Sequence, residues 1–92
     1  MSISKTTLNF AEKRNLCVYV NEGEDSDLLC IDVGLDLSEP SFVYLVNTDG
    51  SFSFSSLLDN QYKAIKEELP ATIKNEKHLR EVLLFISKEI KG

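Results

Sequence analysis

Between Asn21 and Gly50 the chain has no lysine, arginine or histidine, although eight carboxylates fall there: Glu22, Glu24, Asp25, Asp27, Asp32, Asp36, Glu39 and Asp49. With no cation to meet phosphate groups, direct binding of nucleic acid or an anionic membrane is not expected of this part of the chain. Cysteine is also scarce. Cys17 and Cys30 are too few for a disulfide framework and lack the CxxC spacing, so reduced thiols are expected. With His78 as the sole histidine, neither a zinc set nor a cysteine–histidine nucleophile is recognisable. Its place near the start of the last predicted helix suits a surface or capping residue better than a base.

Glycine-rich phosphate loops, a Ser/His/Asp set, paired carboxylates at a defined separation and basic–aromatic interleaving are all missing. The run Glu22-Gly23-Glu24-Asp25-Ser26-Asp27 invites comparison with a calcium loop. Its spacing departs from D-x-[DN]-x-[DN]-G, and no bidentate Glu follows where one is needed, so no metal and no cofactor are expected. No apolar run approaches the ~18–20 residues a membrane-spanning helix needs. Met1 is followed by polar residues rather than a basic start and an apolar stretch, so a soluble, cytoplasmic protein without enzymatic activity is expected.

What is present is an ordinary globular composition, 42% apolar and 27% charged, in 92 residues, enough for one domain spanning 1–92. The net charge of −5 is unevenly spread. Residues 1–60 hold ten acids against Lys5, Lys13 and Arg14, whereas residues 61–92 hold five acids against seven bases.

Period-two patterning dominates the first half. Ser2 to Phe10 alternates weakly and reads as a strand, with Ala11 to Asn15 as a hairpin link. Leu16 to Val20, Leu28 to Val33, Ser41 to Val46 and Ser51 to Phe54 read as further strands. Asn47-Thr48-Asp49-Gly50 is a tight turn, with Gly50 supplying a positive φ. After Phe54 the period changes. Leu58, Tyr62, Ile65 and Leu69 share one helical face, and Pro70 stops that helix. Leu79, Val82, Leu83, Ile86 and Ile90 form the stripe of a last helix that Asn75 caps. The prediction is α+β: an antiparallel β-meander of four to five strands over about 2–54, followed by two C-terminal α-helices, about 56–69 and 75–91, packed on one face.

Function is expected to be recognition rather than chemistry. Glu22, Glu24, Asp25, Asp27, Asp32, Asp36 and Glu39 are the candidate contacts to a basic protein partner such as a nuclease, a toxin or a nucleic-acid-binding complex. Eight carboxylates match only about 14 Å of duplex, roughly four base pairs, so they suit electrostatic steering better than full mimicry of nucleic acid. Small inhibitors, whether immunity proteins or phage anti-defence proteins, are the class this size and acidity suggest. An alternative is a structural or assembly protein that forms a homodimer through an aromatic sheet face carrying Tyr19, Phe42 and Tyr44.

Overall fold

The computed structural model describes residues 3–33, 40–58 and 62–91. In chain order these form α1 (Lys5–Glu12), β1 (Leu16–Asn21), β2 (Leu28–Val33), β3 (Phe42–Val46), β4 (Phe52–Leu57), α2 (Lys63–Glu68), β5 (Thr72–Ile73) and α3 (Glu76–Lys91). The five strands make one sheet in the order β1-β2-β3-β4-β5, each pair antiparallel. The α+β class and the meander are as the patterning predicts.

The N-terminal segment is a helix, not the predicted strand. Ser4 caps it, its hydroxyl accepting from the Thr7 N–H. Ile3, Thr7 and Ala11 are buried at helical spacing, whereas Leu8, placed on the apolar side by a two-residue period, is exposed. Contacts with α3, described below, override the β preference of Thr6 and Thr7. Asn15 then takes φ 60°, a left-handed residue that ends the helix and turns the chain into β1.

Two further boundaries move. β4 runs through Leu57, and the Leu58 N–H donates to the Ser41 carbonyl, so Leu58 extends the sheet instead of opening a helix. α2 is therefore only six residues long, and none of them is buried. It ends as predicted before Pro70, with Leu69 extended. β5, which the pattern misses, has two residues, and its Ile73 is fully buried opposite Phe52.

Leu16, Val18, Leu29, Ile31, Phe42, Tyr44, Phe52 and Ile73 face one side of the sheet and meet Ala11, Leu79, Val82, Leu83 and Ile86 from the two longer helices. One irregularity makes this possible. The β3–β4 register shifts between Val43 and Tyr44, pairing Phe42 with Leu57 and Tyr44 with Phe54. Leu57 and Phe54 are three residues apart and would face opposite sides of a regular strand; the bulge brings both to the core. The other face of the sheet has no helix on it among the described residues and carries Cys17, Tyr19, Cys30, Asp32, Val43 and Leu45.

Candidate functional site: the acidic end of the sheet

In a meander, alternate connections fall at the same end. The β1–β2 loop and the β3–β4 turn are therefore neighbours, and the Val46 N–H donates to the Asp27 carbonyl at 2.9 Å to join them. Glu22, Glu24 and Asp25 are exposed on the loop, Asp27 is half-buried at its end, and exposed Asp49 comes from the turn. Between loop and turn lies an open groove of about 510 Å³, lined by Glu24, Asp25 and Asp27 on one side and by Asn47, Thr48 and Gly50 on the other.

Both walls have local reasons for their shape. A side chain at Gly23 would run into the Ser26 carbonyl oxygen, so only glycine permits this tight passage. Opposite it, Gly50 takes φ 88°, closing a turn in which the Asn47 N–H donates to the Ser51 carbonyl and the Gly50 N–H to the Asn47 carbonyl. Asn47 Nδ2 donates to the hydroxyls of Ser51 and Ser53. The Asp49 carboxylate accepts from the Ser51 hydroxyl at 2.6 Å and from its N–H at 3.0 Å. Those bonds from Ser51 hold the Asp49 carboxyl below its ordinary range, so it stays charged.

The sequence-based set is thus regrouped. Glu22, Glu24, Asp25 and Asp27 come together, and Asp49 joins them. Asp32 does not. It is 4% exposed, paired across β1–β2 with Cys17, and stands on the sheet face opposite the helices, away from the loop. Asp36 and Glu39 lie outside the described residues; Val33 and Pro40, which bound their segment, are at the opposite end of β2 from Asp27. Asp49 had a signal in the sequence, since the parity of connections in a meander pairs its turn with the first loop.

The aromatic grouping also separates. Phe42 and Tyr44 are fully buried beneath the helices, whereas Tyr19 is half-buried on the other face, so the three share no surface. Tyr44 donates its hydroxyl to the Pro70 carbonyl at 3.0 Å and meets Phe54 edge to face at 5.2 Å. Burial pushes its pKa up to about 12.

Both cysteines are free thiols on the sheet face opposite the helices, Cys17 half-buried and Cys30 buried. Burial, with the negative charges of Asp32 and Glu12, pushes the Cys17 thiol up. Burial likewise raises Cys30, against hydrogen bonds from Tyr19 and Asn21 that act the other way. Raised thiols are the reverse of what nucleophilic chemistry requires. His78 is occupied in a cap: its Nδ1 accepts from the Lys74 N–H, while its own N–H donates to Asn75 Oδ1. Among the described residues no three His, Cys, Asp or Glu side chains gather to hold a metal ion. No described helix is long and apolar enough to cross a membrane.

Comparison with protein-family models, with curated proteins and with solved structures finds no match to this chain.

Proposed function

We propose that this protein is a non-enzymatic binding module whose acidic end engages a basic protein. The observation that carries this reading is the convergence of Glu22, Glu24, Asp25, Asp27 and Asp49 at one end of the sheet, with Glu24, Asp25 and Asp27 lining a groove, in a segment devoid of Lys, Arg and His. Like charges held together by backbone geometry repel one another, and a cationic surface relieves that repulsion while being steered toward it. Such a protein fits the role of an inhibitor, either an immunity protein or an anti-defence protein, acting on a nuclease, a toxin or a nucleic-acid-handling complex whose own basic surface is needed for its work.

The test is binding to a purified basic nuclease recovered with the protein from its native host. Affinity is expected to fall steeply as salt is raised, and pairwise replacement of Glu24 and Asp25 by Lys is expected to weaken it at least tenfold, as for charge pairs desolvated at an interface. Affinity indifferent to both salt and these substitutions would refute the electrostatic reading.

A further inference from the structure

We propose that Asp49–Gly50 is a site of self-modification, passing through a cyclic succinimide to isoaspartate at a rate that Ser51 controls. It is the single Asp-Gly pair in the chain. The reaction needs the backbone nitrogen that follows an aspartate to attack that aspartate's own carboxyl carbon. A side chain on the following residue hinders the attack. Every other aspartate precedes a residue that has one, Ser26, Leu28 and Val33 among them. At Gly50 nothing stands within 4 Å of where a Cβ would be, and both residues are exposed at the tip of the β3–β4 turn. Glycine also gives the backbone the freedom to rotate into the conformation that ring closure requires.

The step balances with water alone. A C–N bond forms between the Gly50 nitrogen and Asp49 Cγ, the nitrogen loses its proton, and the carboxyl hydroxyl departs with it as water. Water then opens the ring at either carbonyl. Opening at the original backbone carbonyl leaves Gly50 joined to Cγ, so the chain is one atom longer and the carboxylate now sits on Cα. The product has a longer turn and a displaced acid at the acidic end of the sheet.

The structure restrains both reacting groups. Ring closure starts from the neutral carboxyl, because a carboxylate would have to expel oxide. Asp49 accepts from the Ser51 hydroxyl at 2.6 Å and from the Ser51 N–H at 3.0 Å, bonds that favour the carboxylate. Asn47 Nδ2 donates to the Ser51 hydroxyl oxygen at 3.0 Å, which leaves the hydroxyl proton for Asp49. The nucleophile is engaged as well, since the Gly50 N–H donates to the Asn47 carbonyl at 3.1 Å. Closure therefore waits for this turn to open, and an exposed loop tip opens more readily than the fold as a whole.

Incubating the purified protein in water enriched in heavy oxygen, then mapping its peptides by mass spectrometry, tests this. No partner is needed, so the outcome is independent of the binding reading. Label should accumulate in the peptide holding Asp49 and Gly50, together with an isoaspartyl form that chromatography separates. Ser51→Ala should convert about threefold faster, the worth of one exposed hydrogen bond, while Ser51→Thr, which keeps the hydroxyl, should stay near the parent rate. The parent chain unfolded in urea should convert faster than the folded one. Asp49→Glu, whose ring would be larger, should take up no label at this position. Absence of label at Asp49 in both the parent and Ser51→Ala would overturn the inference. So would equal rates in the parent and in a Ser51→Ala chain that circular dichroism reports as folded.

Discussion

Asn15 and Glu76 show how much single residues decide here. Asn15 sits at φ 60°, where asparagine is tolerated and a β-branched residue is strained. Asn15→Gly is expected to hold or raise stability by up to about 0.5 kcal/mol, and Asn15→Val to cost about 1–2 kcal/mol in urea unfolding. Glu76 Oε1 accepts from the Thr7 hydroxyl and the Ser4 hydroxyl, both at 2.7 Å, and from the Ser4 N–H at 3.2 Å, tying the first turn of α1 to the first turn of α3. Arg80 completes the set by donating to the Thr7 hydroxyl at 3.0 Å. Burial opposes the charged carboxylate, but the bonds from Thr7 and Ser4 and the charge of Arg80 outweigh it and hold the group below its ordinary value. A lowered carboxylate stabilises the fold above its unfolded value and loses that contribution as pH falls through the lower folded one. Glu76→Gln should therefore destabilise by about 1 kcal/mol at pH 7, with the gap to the parent protein closing as pH falls through the lowered folded value in acid titrations followed by circular dichroism. At its own helix start Glu76 is simply a favourable charge at the positive end of α3. Its role as the clasp on a helix some seventy residues away was not legible in the sequence, because nothing local to α3 announces Thr7.

Elements divide by how far their own residues specify them. α3 was legible from its period: Leu79, Val82, Leu83 and Ile86 are buried as the stripe requires, and only Ile90, at the end, is exposed. Leu83→Ala should cost about 2–5 kcal/mol, read as a fall in the urea midpoint at unchanged slope. α2 and β5 depend on contacts their own patterns do not announce. The Tyr44 hydroxyl accounts for part of this, since its bond to the Pro70 carbonyl pins the segment between them. Tyr44→Phe should cost about 1 kcal/mol. The tyrosine pKa, pushed up to about 12, carries a linkage of its own. A raised phenol contributes stability that is whole below its unfolded value near pH 10 and is lost as pH rises toward 12. The parent protein should therefore lose stability over that alkaline range more than Tyr44→Phe does, measured by urea unfolding at each pH. α1 was misread because alternation over Thr6, Leu8 and Phe10 competes with the helical spacing of Ile3, Thr7 and Ala11. Contact with α3 settles which of the two is buried.

For the molecule as a whole, charge is the property with the longest reach. Replacing Glu24 and Asp25 together by Lys removes like-charge repulsion at one end of the sheet, so unfolding midpoints should stay level or rise slightly. Association with a basic partner should slow about tenfold at low salt over the same substitutions. A merely solvated surface would leave the association rate unchanged. Charge excess, the α+β class, the strand succession Leu16–Val46 and the last helix were determined by the sequence itself, because composition and period are local quantities. Which carboxylates lie together was decided only by the tertiary structure. Strand pairing carries Asp49 to the loop holding Glu22, Glu24, Asp25 and Asp27, while the alternation of side chains along β2 removes Asp32 to the sheet face. Burial of Phe42 and Tyr44 was likewise decided there. Faces and edges exist only once strands have neighbours, and a one-dimensional pattern does not say which neighbour each strand will have.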